Sequence, residues 1–323
     1  MRAAGNGEKK ACIAVKHQRE YIRIQAGASF RLIEWASSVE KVEVILDGGR
    51  REAVQGEGGH WHYHPEMELT WFSKGEGLRF VGDHIGPFEG GDLVLLGRRL
   101  PHHWQIRGKS AGLSIQWHYP ESHPLWCIPE VRHLATLFSA AAEGIQFPPA
   151  AAERIGARMK QMARLMTGTE RFAALLVIFD DLAASLGDAQ RLSRKLFVPP
   201  PEDSPHQGAI RDAVSYLLAS FREPVPLERM LSLTGMTRPT FCRQFRLHTG
   251  NSFSAFLNRV RLHAACRELR TGNKPVIDIA FDSGISQVSF FNRLFLREMG
   301  CTPSQYRRSR EIAGEVQADS RQG

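Results

Sequence analysis

The chain has 323 residues, 42% apolar and 24% charged, which is the balance of a soluble globular protein with room for two domains. No run of about 18 apolar residues is present, so a membrane-spanning helix is excluded, and the opening MRAAGNGEKKACIAV lacks the sustained apolar core of a signal peptide. The five cysteines (Cys12, Cys127, Cys242, Cys266 and Cys301) are scattered and never spaced as CxxC, which argues against a disulfide framework or a zinc finger and fits a cytoplasmic protein. The net charge of +8 is confined: residues 208–310 hold 16 Arg and Lys against 7 Asp and Glu, a balance of +9 that leaves −1 for the remainder. A basic segment of that kind suits phosphate neutralisation.

Taken in order, the first 30 residues carry few signals and predict an arm with an edge strand near Tyr21–Ile24. From Arg31 to Tyr119 short β-type runs are broken by glycine turns: residues 41–46, 68–72, 78–81, 93–96 and 113–117. Many short strands with turn signals predict a barrel or double-sheet jelly roll. Within it lies Gly59-His60-Trp61-His62-Tyr63-His64-Pro65-Glu66-Met67-Glu68. His62 and His64 are two apart and project from the same face of a strand. Glu68 joins them by the same parity, and His102 of Leu100-Pro101-His102-His103 is a fourth candidate from a later strand. Such a set suits a divalent transition metal; pocket lining or structural hydrogen bonding is the competing role. His60, His103 and His118 are expected to be incidental. Trp61, Trp71, Trp104, Trp117 and Trp126 fall in or after this region, either as core or as stacking surface for a sugar or aromatic effector.

This stretch resembles the cupin fold. The first cupin motif, HxHx3Ex6G, is matched by His62, His64, Glu68 and Gly75, and the second by Gly91-Asp92 and Pro101-His102; the Asn that ends the second has no counterpart.

From Val131 to Leu186 the apolar period changes to 3.6. Ile155, Met159, Met162 and Met166 form one stripe; Phe172, Leu175, Leu176, Phe179, Leu182 and Leu186 form another after the break at residues 167–169. An antiparallel helical pair is predicted, packed on its own barrel or on a second subunit. Four prolines in the seven residues 199–205 then mark a semi-rigid linker.

The last third repeats one pattern twice, about 50 residues apart: a Pro (Pro226, Pro275), a short apolar helix, a Gly (Gly235, Gly284), a Thr or Ser cap (Thr237, Ser286), and a second helix with phenylalanines that stops at Gly250 or Gly300. This is the grammar of two helix-turn-helix units joined by a long helix capped by Ser252. Phe241, Phe245, Phe290, Phe291 and Phe295 are read as core. The residues offset from them carry the chemistry for base edges: Arg for guanine, Asn or Gln for adenine, with phosphate clamping the alternative for each Arg.

These residues resemble the AraC/XylS family of bacterial regulators. Its closing signature is matched by Ala280, Gly284, Ile285, Phe290, Phe291, Arg293, Phe295, Gly300, Thr302, Pro303, Tyr306 and Arg307, with Ile285 where Phe is usual and Leu296 where a Lys often meets phosphate. The resemblance implies recognition helices that present Arg238, Pro239, Cys242 and Arg243 from the first unit, and Gln287, Val288, Ser289, Asn292 and Arg293 from the second.

The expected fold is therefore a two-domain α+β chain: a cupin-like barrel with its arm over 1–125, a helical pair over 126–195 suited to dimerisation, a linker over 196–207, an all-α domain with two helix-turn-helix units over 208–310, and a tail over 311–323. The expected function is a ligand-responsive activator-type transcription regulator with no catalytic residues and no required cofactor. It would bind promoter DNA as a homodimer, answer to a small effector in the barrel, and contact RNA polymerase as the resembled family does. A metal-dependent dioxygenase or isomerase fused to a DNA-binding module is the rival reading, and a non-specific structural DNA binder is a third.

Overall fold

The computed structural model describes residues 22–55, 59–197 and 206–309. The prolines of the expected linker, residues 1–21 of the expected arm and the expected tail lie outside these residues.

Among the described residues nine strands form one antiparallel sheet: β1 (Phe30–Trp35), β2 (Lys41–Ile45), β3 (Arg51–Gln55), β4 (Met67–Val81), β5 (His84–Glu89), β6 (Leu93–Leu96), β7 (His102–Trp117), β8 (Ile145–Gln146) and β9 (Gln190–Arg191). Their order is β3-β2-β1-β7-β4-β6-β8-β9, with β5 paired to β4. β4 and β7 are the long members and pair from Met67↔Trp117 to Val81↔His102, with register shifts around Lys74 that bend the ladder. Residues 22–24, the described part of the expected edge strand, are not strand. Pairing begins at Phe30 because its partner β7 ends at the facing Trp117, so the residues upstream have no ladder to join.

Three helices cover one face: α1 (Leu134–Ala140), α2 (Pro149–Met162) and α3 (Gly168–Ala184). Ile155, Met159, Met162, Leu175, Phe179 and Leu182 are fully buried in one core with Leu69, Ile115 and Trp117 of the sheet. Each such side chain contributes roughly 1.5–3 kcal/mol of burial, so the pair packs on its own sheet. Met166 leaves the predicted stripe: it lies in the turn between the helices and is 54% exposed. The turn ends in a capping box, in which Glu170 N–H donates to Thr167 Oγ1 (3.2 Å) and Thr167 N–H donates to the Glu170 carboxylate (3.1 Å). The guanidinium of buried Arg171 then donates to the carbonyls of Leu46 (2.8 Å) and Leu165 (2.7 Å), tying α3 to the end of β2.

The remaining helices are α4 (Gln207–Ser220), α5 (Leu227–Thr234), α6 (Arg238–Thr249), α7 (Phe253–Thr271), α8 (Val276–Asp282) and α9 (Val288–Met299). They enclose two cores, one around Phe241, Phe245 and Phe256, the other around Leu269, Phe291 and Phe295. The helix α7 belongs to both, which makes it the beam between the two units.

The sheet grips that beam. Phe80 of β4 stacks on Phe256 of α7 with centroids 5.7 Å apart and planes 18° apart, and Trp61 meets the same ring edge-on at 6.1 Å. In the β4–β5 turn, the Asp83 carboxylate accepts Ser193 Oγ–H (2.8 Å) and Arg194 N–H (2.9 Å), while its carbonyl accepts from Arg259 of α7 (2.7 Å) and Asn251 (3.2 Å). Gly250 sits against this turn at φ +68°, and a Cβ there would lie 2.6 Å from Asp83 Cβ. Glycine answers both demands, the left-handed cap and the close approach.

Candidate functional site

In each helix-turn-helix unit a left-handed glycine makes the turn, Gly235 at φ +66° and Gly284 at φ +85°. Thr237 is the N-cap of α6, as expected, and its hydroxyl bonds Thr240 Oγ1 at 3.0 Å. The second unit differs: the cap of α9 is Gln287 rather than Ser286. The preceding turn is drawn in by Ile285 N–H, which donates back to the Ala280 carbonyl (3.0 Å), and the helix starts one residue later.

Phe241, Phe245, Phe291 and Phe295 are all 0% exposed. Arg238, Pro239, Cys242 and Arg243 on α6, and Gln287, Ser289, Asn292 and Arg293 at α9, are all exposed, with Val288 half-buried. The sheet domain meets α7 and α4 and leaves these faces open. Leu296, at the position of a phosphate-contacting Lys in the resembled family, is 51% exposed.

The second candidate site lies in the sheet. His62 and His102 exchange both backbone hydrogen bonds in an isolated bridge (2.9 and 3.2 Å), which brings their rings to 4.2 Å. One ligand nitrogen from each of His62, His64 and His102 fits within a mutual 4.8 Å, all three residues being buried. Every ring has its Nδ1 on a backbone carbonyl: His62 to His60 (2.7 Å), His64 to Glu66 (3.1 Å) and His102 to Leu100 (2.8 Å). A carbonyl only accepts, so each Nδ1 carries the proton and each Nε2 is turned to the cluster.

Glu68 completes the group, with Oε2 3.1 Å from His64 Nε2 and 3.9 Å from His102 Nε2. It also accepts from Gln116 Nε2 (2.7 Å) and from the Thr70 hydroxyl, and Gln116 in turn accepts from Arg31 Nε (2.9 Å). Burial holds the His102 imidazole down to about 4, and burial together with the neighbouring His102 and His64 holds His62 well below its ordinary value. Burial alone would raise Glu68, yet the His64 hydrogen bond and the adjoining imidazoles hold its carboxyl well below the carboxylate range. The cluster thus presents an ionised Glu68 carboxylate beside the neutral imidazoles of His62 and His102. His64 has both ring nitrogens on acceptors, and His102 Nε2 is buried without a hydrogen-bond partner. A cation among the Nε2 atoms and Glu68 answers both features, so the donor set fits a divalent transition metal.

The structure brings His62, His64, Glu68 and His102 together and adds Arg31, Thr70 and Gln116, which carry no signal in the sequence. These are ordinary strand residues with no motif, joined to Glu68 only by pairing across β1, β4 and β7. His103, expected to be incidental, points away from the cluster and stacks on Phe80 at 5.7 Å. Of the tryptophans, Trp61, Trp71, Trp104 and Trp117 are buried, as the core reading expects. The cavity beside the cluster, bounded by Arg31, Trp35, His62, Glu68, Phe72 and Trp104, measures about 60 Å³. A cavity needs at least about 10–15 Å³ to admit one water, so this space admits no more than a few.

Among known proteins, a helix-turn-helix domain family profile matches residues 230–309. Regulatory protein SoxS of Escherichia coli K12 is 31% identical over 102 residues, which are 95% of SoxS and 32% of this chain. The chain belongs to the AraC/XylS family. Its helical third is thereby a DNA-binding domain of a transcription regulator, and the matched relatives are regulators rather than enzymes. The RCS-specific HTH-type transcriptional activator RclR of the same organism is 36% identical over 88 residues, 27% of this AraC/XylS member and 31% of RclR. The solved DNA-binding domain of AdpA in complex with a target DNA has 27% identity and a TM-score of 0.32, over 32% of this chain and 95% of that one. No described helix is long and apolar enough to cross a membrane.

Proposed function

We propose that this chain is a ligand-responsive transcription regulator that reads promoter DNA with α6 and α9 and answers to its cupin-like N-terminal domain. One observation carries the reading: two helix-turn-helix units on one rigid helix, each with polar residues exposed on the side opposite a fully buried phenylalanine pair. Arg238, Arg243, Gln287, Asn292 and Arg293 supply base-edge chemistry, and the basic surroundings supply phosphate contacts. The helical pair α2–α3 leaves Val177 exposed and serves homodimerisation; contact with RNA polymerase follows from the family role. Selection of bound duplexes from a randomised library tests the reading. Full-length protein should enrich one sequence with two half-sites about 10–10.5 base pairs apart. Binding with no enrichment would leave a non-specific structural binder instead.

The histidine cluster supports a second element: His62, His64, His102 and Glu68 hold a divalent metal whose Lewis acidity or ligand exchange would make the domain a sensor. The same donors would serve a dioxygenase or isomerase, the rival reading, but the matched relatives being regulators favours sensing. Metal analysis of full-length protein purified without chelator should find about one ion per chain in the parent and none in His62→Ala. Absence of metal from the parent would assign the histidines to structure.

A further inference from the structure

A cavity of effector size lies between the sheet and the DNA-binding helices. It measures about 650 Å³, against about 60 Å³ beside the histidine cluster. Pockets that enclose small-molecule ligands run from about 300 to 1,000 Å³, so a sugar or aromatic effector fits only the former. One wall comes from the sensor, with the carboxylates of Glu76, Glu89 and Glu153; the other comes from α7, with Arg267 and Arg270. Arg107 of β7 also lines it, and Trp71, Phe147 and Met299 add apolar surface. Among the described residues no ion pair joins the two walls: Arg267 reaches only Glu268 of its own helix, at 3.8 Å. Burial and then the neighbouring Arg107 press the Arg267 guanidinium below its ordinary value, while Glu268 and, across the cavity, Glu76 act in the opposite sense.

We propose that this cavity is an effector site for a zwitterionic small molecule, amino-acid or dipeptide in type, with an apolar body. Its carboxylate lies between Arg107 on the sensor and Arg267 and Arg270 on α7. Its ammonium faces Glu76, Glu89 and Glu153, and its body packs on Trp71 and Phe147. Because the ligand touches both bodies, its binding energy depends on how they are docked, and α7 carries both recognition helices. A ligand that favours one docking therefore favours one placement of the sensor relative to the two helix-turn-helix units on α7. The site does not depend on whether the histidine cluster holds metal.

The test is calorimetric titration of the full-length protein with the twenty amino acids and a set of apolar dipeptides. The strongest binder is then compared with its two analogues that lack either the ammonium or the carboxylate. We expect at least one zwitterion to bind, with both analogues at least tenfold weaker. Arg267→Gln and Glu153→Gln, at half-buried and exposed positions, should each weaken it at least tenfold while leaving the circular dichroism spectrum unchanged; Arg107→Ala offers a second variant should Arg267→Gln fail to fold. His62→Ala should leave binding intact. No binding across the panel, retention of binding in both Arg267→Gln and Arg107→Ala, or loss in His62→Ala would each overturn the proposal, and none of these outcomes bears on DNA recognition.

Discussion

The recognition helices and the histidine cluster solve the same problem, holding polar chemistry in place, in opposite ways. In α6 and α9 the period of 3.6 separates the work: Phe241, Phe245, Phe291 and Phe295 face inward and are fully buried, while Arg243 and Arg293 face outward and are exposed. In the sheet no such separation exists, because His62, His64, Glu68 and His102 are themselves buried and bonded to one another and to the backbone. A helix lets fold and function be altered independently; this buried strand cluster does not.

Substitutions should expose that contrast. The largest effect is expected for Phe245→Ala, a cavity in the first helical core costing about 3–5 kcal/mol in denaturant unfolding, with DNA binding lost through unfolding. If the loss is under about 1 kcal/mol, the phenylalanine stripe is not what holds the unit together.

Acid should act on the junction of the two regions. Burial holds His84 down to about 3, and His248 and His263 to about 4, all from 6.5. The folded state therefore resists protonation that the unfolded chain accepts. Their contribution is complete above pH 6.5 and is lost as pH falls through the folded values, on the order of 3 kcal/mol for a histidine moved from 6.5 to 4. Unfolding midpoints that stay level from pH 7 to 5 would contradict the burial of these rings.

Glu68→Ala is expected to couple the two properties in the sheet. It strands Gln116 Nε2 and His64 Nε2 without their acceptor, while Thr70 Oγ1 keeps Ser114 Oγ at 2.9 Å; the change should cost about 1–3 kcal/mol of stability and abolish any metal binding together. Full stability with selective loss of metal would show that the cluster separates function from fold after all. In α6 the outcome should be the reverse: Arg243→Ala lowers specific DNA affinity by about 1–3 kcal/mol and leaves the unfolding midpoint in place. Equal loss on target and random DNA would assign it to phosphate. Leu296→Lys should have the smallest effect, steepening the salt dependence of DNA binding by about one counterion; an unchanged slope would remove that position from the phosphate surface.

Much of this was legible in the chain itself. Helix period, glycine turns and the Phe stripes are local, so α5 to α9 and the exposed faces of α6 and α9 followed from spacing, while the Ser286 cap is displaced by one residue and Phe290, read as core, is half-buried at its edge. The parity of His62, His64 and Glu68 was likewise readable, because alternate strand residues share a face. Met166 misled, since an apolar residue one turn beyond a helix end continues its period without continuing its burial.

What the sequence alone determined was every feature set by neighbours within a few positions: the helix-turn-helix repeat, the basic segment, the paired stripes of α2 and α3, and the HxH donor pair. Tertiary structure decided the rest, because each remaining feature depends on residues far apart in the chain. His102 comes 40 positions after His62 and reaches it only through the strand bridge; Arg31 reaches Gln116 across β1 and β7. The grip of Asp83 on Arg259, and the cavity between the sheet and α7, exist only because the two halves of the chain pack on each other. Such contacts follow from complementary shape and charge between surfaces, for which a linear pattern has no period.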